Sequence, residues 1–246
     1  MKNLLCAFSM CQSMFCSIPF PCRLWDEKVR DKMLLFLPLV GLEIGAIWAG
    51  LAWLCQALAL PRFVRALVLT VCPYLLTGYI HLDGYMDVSD AVGSCRTLER
   101  RREILKDSHV GSFAVIALAL LLLSGYALFA AMEESADWRI LLLVPVVSRC
   151  CSALAVILLP PMSTSQYAAQ KRPRSHVVLL ICIAAAAVAL GFLWTGMGGL
   201  ALLGVLAGYG LGLHKSYRSL EGMNGDIAGY SLTLGELAGA AILALL

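Results

Sequence analysis

The feature that most constrains this chain is a succession of long apolar runs separated by short polar joints. They fall at about 33–54, 63–80, 111–132, 139–160, 177–194, 198–213 and 227–246. Each is near the roughly 20 apolar residues with which a helix crosses a bilayer core. Hydrophobic residues make up 60% of the chain and charged residues 14%, against about 25% charged in a soluble domain. That leaves too little polar surface to coat a globule in water. The length is therefore a count of spans rather than of soluble domains. The expected fold is all-α: one polytopic membrane helix bundle over residues 1–246, with about seven transmembrane helices.

Residues 1–32 begin with a shorter apolar stretch, broken by Ser9, Gln12, Ser13 and Ser17, and run into Ile18-Pro19-Phe20-Pro21. Proline there disfavours a continuing helix, so this part reads as an interfacial or re-entrant segment. No small-residue cleavage site follows the start, so no secretory signal is read. With the N-terminus inside, the inner segments are 1–32, 81–110, 161–176 and 214–226. They hold fifteen Lys and Arg, among them Arg23, Lys171 and Arg172, while the outer joints hold three, Arg62, Arg65 and Arg139. The bias predicts a cytoplasmic N-terminus and an external C-terminus. Glu133, Glu134 and Asp137 on an outer joint agree with it. Arg149 falls inside a span and is expected to pack toward the bundle or snorkel.

One inner segment carries most of the candidate chemistry: His81-Leu82-Asp83-Gly84-Tyr85-Met86-Asp87-Val88-Ser89-Asp90. Asp83, Asp87 and Asp90 recur at i, i+4 and i+7, which places them within about 60° of one another on a helix. Three carboxylates on one stripe repel each other, so a cation is expected among them. Mg²⁺ takes oxygen ligands, commonly one or two carboxylates plus substrate phosphate oxygens. Gly84 leaves room beside Asp83 for a ligand to approach the backbone. The competing reading is a solvated acidic helix face. It is weakened by the apolar neighbours and by the cost of ionisable groups at membrane depth.

Downstream, Arg96 to Lys106 offers cations that can hold phosphate, or simply a basic inner helix. Asp107, on the approach to the Gly111-led span, is placed to join the acidic cluster from a second helix. Gly222-Met223-Asn224-Gly225-Asp226 reads as a tight turn opening the last span, with Asp226 near a helix N-terminus. Glu43 is a lone acid inside a span. The ten cysteines form no CxxC pair and lie mostly in apolar runs, where cysteine acts as a small hydrophobe.

Three function classes compete: a membrane enzyme transferring a phosphorus-linked group, an ion-coupled transporter, and a structural subunit. A transporter should place its acids near mid-membrane at broken helices, whereas these gather at one face among basic residues. The motifs His81-Leu82-Asp83-Gly84-x-x-Asp87-x-x-Asp90, Lys106-Asp107-Ser108-x-x-Gly111 and Gly222-x-Asn224-Gly225-Asp226 with Glu236 resemble those of the cobalamin synthase family. These are the adenosylcobinamide-GDP ribazoletransferases of late vitamin B12 assembly. Phe8-Ser9-Met10, Ser17 to Pro21, Trp25 and Pro38 to Gly41 are similar to the family's opening, so the likeness runs over nearly the whole chain. Ala91, Asn224 and Glu43 depart from its usual pattern, and none of these removes a carboxylate of the motifs.

The resemblance implies that α-ribazole, or its 5′-phosphate, is joined to adenosylcobinamide-GDP with release of GMP. It implies Mg²⁺ held by Asp83, Asp87 and Asp90, and Asp87, Asp90 or Asp107 as candidate general base. It implies Lys106 at a phosphate, and His81, Gly84, Ser108, Asn224 and Asp226 in substrate binding. The partners implied are a corrinoid nucleotide, α-ribazole and the lipid bilayer. No nucleic acid is expected, and a homo-oligomer is allowed. CDP-alcohol phosphatidyltransferases share the paired-aspartate logic, but their Asp-Gly-x-x-Ala-Arg run is missing here.

Replacing Cys95 or Cys151 with Ser is expected to leave folding and membrane insertion nearly unchanged. A loss of folded protein in reducing buffer would count against this bland role.

Overall fold

The computed structural model describes residues 2–22, 24–133, 136–162, 165 and 173–246. Arg23, Glu134, Lys171 and Arg172, used above in the charge tally, lie outside these. Among the described residues every regular element is a helix, and the only β pairing is an isolated bridge between Pro161 and Met223.

The order is α1 (Lys2–Phe15), α2 (Arg30–Met33) flanked by 3-10 turns, α3 (Leu37–Ala57), α4 (Arg62–Leu76), α5 (Ile80–Gly93), α6 (Leu98–Ile104), α7 (Ser112–Ala131), a 3-10 turn at Trp138–Leu142, α8 (Val144–Leu158), α9 (Arg174–Thr195), a 3-10 turn at Gly196–Gly199, α10 (Leu200–Leu220) and α11 (Gly225–Ala244). Local chemistry sets many boundaries. Pro38 and Pro145 occupy the first turns of α3 and α8, and Pro61 and Pro173 stand just before α4 and α9, positions where the missing N–H costs nothing. Asn224 caps α11 by accepting from Ile227 N at 3.0 Å.

Five helical stretches are long and apolar enough to cross a membrane: Glu27–Ala57, Ser112–Ala131, Trp138–Leu158, Arg174–Leu220 and Gly225–Ala244. The bent pair α4–α5 makes a sixth if it counts as one span. The 47-residue stretch Arg174–Leu220 would be about 70 Å long if straight, more than twice a bilayer core. It is not straight. A Cβ on Gly191 would lie 2.6 Å from Leu202 Cδ1, a contact open only to a chain that reverses between them. The stretch is thus a hairpin of two membrane-length helices, which accounts for the expected spans 177–194 and 198–213. The expected span 63–80 is cut short, because α4 ends at Leu76 and α5 departs at 92°.

Buried apolar residues form two clusters. One holds Val40, Val88, Leu121, Val156, Leu180, Leu220 and Ile227, and the other holds Trp48, Leu69, Phe129, Val144, Ala187, Leu202 and Ala240. Successive helices α3, α4, α7, α8, α9, α10 and α11 pass from one cluster to the other in alternating direction. The segments that join them at the first cluster include α5, α6 and the turn at Glu221–Asn224. This is the up-and-down topology expected from loop charge. α1, also at that end, is about 21 Å long and so too short to span. It packs on α2 and α3 through Ala7, Met10 and Cys11.

The outward faces invert the soluble pattern. Leu120, Leu123, Leu193 and Leu211 stand exposed, as side chains facing lipid do. Between helices, small residues permit close approach. A Cβ on Gly208 would lie 2.5 Å from Ala238 Cβ and 2.8 Å from Leu234 O, whereas one on Gly210 would meet nothing within 4 Å. Gly208→Val should therefore cost about 1–3 kcal/mol through overpacking of α10 on α11, read as a lower unfolding temperature in detergent. Gly210→Ala should be neutral or slightly stabilising, since alanine is the better helix former.

Candidate active site

The site is organised by the bend between α4 and α5. Gly78 and Tyr79 both take left-handed backbone conformations, with φ of 57° and 65°, and so reverse the chain between the helices. The carbonyls left open at the end of α4 are met from the segment that follows α1. Ser17 N donates to Leu76 O at 2.8 Å, and Ser17 Oγ donates to Leu75 O at 2.9 Å. The N-terminal segment thus anchors the acidic helix rather than ending as a free arm.

α5 buries His81, Leu82, Gly84, Tyr85, Val88 and Ala91, while Asp83 is exposed and Asp87 and Asp90 are half-buried. The buried face lies flush against the start of α11. A Cβ on Gly84 would stand 2.8 Å from Asp226 Cα, and one on Gly229 would stand 3.1 Å from His81 O. The room beside Gly84, expected for a ligand, is occupied by the α11 backbone. Tyr85 and Tyr230 stack across the crossing, with ring centroids 5.3 Å apart.

This crossing brings Asp226 to the acidic stripe. Asp87 lies within electrostatic range of Asp83, Asp226 and Asp90, and Asp226 within range of Asp83. Asn224 Nδ2 donates to Asp226 Oδ2 at 2.6 Å, which fixes that carboxylate while the Asn224 carbonyl oxygen caps the helix. Among the described residues no Lys, Arg or His side chain lies within 4.0 Å of these four carboxylates. Their repulsion is not answered by any of the described basic residues.

Asp90 differs from its neighbours. Its carboxylate lies against Gly111, where a Cβ would collide with it, and Ala114 N approaches Oδ1 at 3.4 Å. It therefore sits over the N-terminus of α7, where a negative charge is favoured. Lys106, Asp107 and Ser108 lie exposed in the turn between α6 and α7. Asp107 accepts from His109 N at 3.0 Å and pairs with His109 Nδ1 at 2.7 Å. These bonds hold its carboxyl below the usual range. Asp107 is turned to His109 and not to the acidic stripe that it was expected to join.

The donor set suits a hard cation. Among the described residues no three His, Cys, Asp or Glu converge as a ready-made cage. Mg²⁺, however, commonly uses only one or two carboxylates and completes its shell with water and substrate phosphates. Asp83 and Asp87, one turn apart with Asp226 opposite and no described cation among them, fit such a partial set.

Three hollows surround α5. One, of about 530 Å³, is lined by Asp83, Ser13, Ser17, Thr77 and Tyr79. Another, of about 460 Å³, is lined by Asp90, Arg96, Arg100 and Ser112. The third, of about 90 Å³, lies inside the bundle beside Asp226, His81 and Arg149.

Two features were not legible as sequence. Arg101 and Arg102 close the end of α10: Arg101 donates to Ser219 O at 3.3 Å, and Arg102 to Leu220 O at 3.0 Å and Glu221 O at 2.8 Å. Arg149 packs into the bundle, the first of its two expected placements, and does not snorkel. It is fully buried and pairs with Glu236 at 2.5 Å, while Ser148 Oγ donates to the same carboxylate oxygen at 2.8 Å. Two opposite charges in separate spans were the available signal, since a lone buried charge is costly and seeks a partner.

The chain matches the family model described as cobalamin-5-phosphate synthase over residues 7–244. The chain belongs to that family. Among its relatives, the adenosylcobinamide-GDP ribazoletransferase of Clostridium perfringens is 35% identical over 251 residues, spanning 100% of both chains. That of Clostridium botulinum is 32% identical over 244 residues, 97% of each. That of Geotalea daltonii is 44% identical over 133 residues, 54% of this chain and 52% of its own. No solved structure matches at a significant level. As a member of the cobalamin-5-phosphate synthase family the chain is a transferase and a multi-pass membrane protein.

The Arg149–Glu236 pair sets a stability test. Glu236→Leu leaves a buried guanidinium unpaired and should cost about 3–5 kcal/mol. Arg149→Met combined with Glu236→Leu should recover most of that loss. A double-mutant cycle on unfolding in detergent reads the coupling, and additive losses would show that the pair does not interact.

Proposed function

We propose that this protein joins α-ribazole, or its 5′-phosphate, to adenosylcobinamide-GDP, forming adenosylcobalamin or its 5′-phosphate and releasing GMP. The observation that carries the reading is the acidic stripe of α5 meeting Asp226 of α11 with no protein cation between them among the described residues, in a chain of this family. A bound divalent metal would offset the charge of both the carboxylates and the diphosphate.

In the reaction a ribose hydroxyl of the ribazole attacks the cobinamide-side phosphorus. A new P–O bond forms, the phosphoanhydride bond to GMP breaks, and the hydroxyl proton passes to a carboxylate. Most of the catalysis in such transfers is positioning and charge stabilisation. Asp83 and Asp87, with Asp226 or Asp90, would hold Mg²⁺, which supplies offsetting charge at the diphosphate and the departing GMP. Whichever of Asp87 and Asp90 is left out of the metal set is the candidate proton acceptor. Asp107 is a weaker candidate because His109 already engages it. Arg96 and Arg100, beside Asp90 in an open cleft, suit the guanosine phosphates, and Lys106 lies in the turn that borders this cleft. The basic segments gather at the end of the bundle that carries α5 and α6, so the positive-inside rule puts the site at the cytoplasmic face of the cell membrane.

Purified protein with Mg²⁺, adenosylcobinamide-GDP and α-ribazole should yield a cobalamin product and GMP in equal amounts by chromatography. Turnover of a CDP-linked lipid, and none with either ribazole form, would replace this reading with the phosphatidyltransferase one. Asp83→Asn and Asp87→Asn should each lower kcat by at least 10²-fold, roughly the scale of one lost acid–base or charge-stabilising group, with the variants still folded and membrane-inserted. Near-normal turnover in either would remove that residue from the metal set.

A further inference from the structure

The hollow inside the bundle is built differently from the two that open beside Asp83 and Asp90. It is enclosed by α1, α3, α5, α8 and α11, with Phe15, Leu37, Val156 and Leu232 among its apolar walls. Three strongly buried polar side chains also line it. His81 is 8% exposed, Ser152 4% and Arg149 0%, and His81 Nε2 together with Arg149 Nε and Nη2 has no hydrogen-bond partner. Unmet buried donors are costly, and in a native site each calls for an explanation such as a ligand or an ordered water. The charge of Arg149 is already balanced by Glu236, so the open edge of its guanidinium asks for a hydrogen-bond acceptor rather than for a second anion. His81 lies parallel to Phe15, with ring planes 11° apart and centroids at 6.0 Å, so flat rings form one side of the wall.

Size narrows the occupant. The space open inside the hollow is about 90 Å³, well below the roughly 300–1,000 Å³ of sites for drug-sized ligands, so it admits at most a single small flat ring system and a corrinoid nucleotide is far too large. Guanine is small enough, but it carries polar atoms around most of its edge and would leave several unmet against Leu37, Val156 and Leu232. A benzimidazole is flat, mostly apolar, and has one acceptor nitrogen once its other nitrogen is joined to ribose. Asp226 belongs both to this wall and to the acidic cluster, so a base seated here leaves its ribose at the carboxylates.

We infer that this buried cavity is the pocket for the aromatic base of the ribazole acceptor, with His81 and the free edge of Arg149 as its polar contacts and Phe15 of α1 as part of its wall. The assignment rests on the transfer reaction proposed above and adds where one substrate sits and which residues select it. It gives α1 a role beside that of Ser17, which follows it and anchors α4, and it makes Arg149 a binding residue as well as a packing one.

The test uses the full chain in detergent, with isothermal titration of α-ribazole and of GMP, and with steady-state kinetics. Wild-type protein should bind α-ribazole. Val156→Phe, which fills the cavity, should weaken that binding and raise the KM for α-ribazole at least tenfold, while the KM for adenosylcobinamide-GDP moves less than twofold. Val156→Ala overpacks nothing, and so guards against a filled variant that fails to fold. It should admit a ribazole with bulkier ring substituents that wild type rejects. The inference is overturned if wild type does not bind α-ribazole, if Val156→Phe loses GMP in its place, or if Val156→Ala leaves ring-size selectivity unchanged. Failure of the transfer reading looks different: α-ribazole binds and responds to both variants, but no cobalamin or GMP is formed.

Discussion

The site depends on how closely α5 approaches α11. Gly84 and Gly229 remove the side chains that would hold these helices apart, and the backbones of Asp226 and His81 fill the space. That contact carries Asp226 to Asp83 and Asp87 although more than 130 residues separate them in the chain. It also aligns Tyr85 with Tyr230. A larger side chain at either glycine would part the helices and disperse the carboxylates before altering any of them.

A second constraint comes from the membrane. Backbone groups at a bend need partners where water is scarce, and the turn between α4 and α5 obtains them from Ser17. The C-terminal end of α10 obtains them from Arg101 and Arg102. Polar residues that resemble ligands in sequence are thus partly spent on closing helix ends. Asp90 is similar, placed where the N-terminus of α7 favours a negative charge. The three carboxylates on one stripe therefore stand in unequal surroundings.

Charge is distributed unevenly around the site. The acidic cluster lacks a cation among the described residues, whereas the buried Arg149 has its own carboxylate and still keeps donors to spare. The first arrangement calls for a metal and phosphates, and the second for a neutral acceptor. Together they divide the proposed reaction between a polar face, where the diphosphate would be clamped, and an apolar interior, where an aromatic base would be selected.

The sequence by itself determined the membrane bundle, because apolar runs of bilayer length leave a chain no other way to bury its backbone. It determined the alternating direction of the spans through the uneven basic residues, and it singled out α5 through the i, i+4, i+7 spacing of its aspartates. Only the tertiary structure decided which of those residues meet. Whether Asp107 turns to the cluster or to His109 depends on a short turn whose alternatives differ by one or two hydrogen bonds. That Gly84 receives a helix and not a ligand, and that Arg149 finds Glu236, depends on packing between segments far apart in the chain, which spacing along a single helix does not encode.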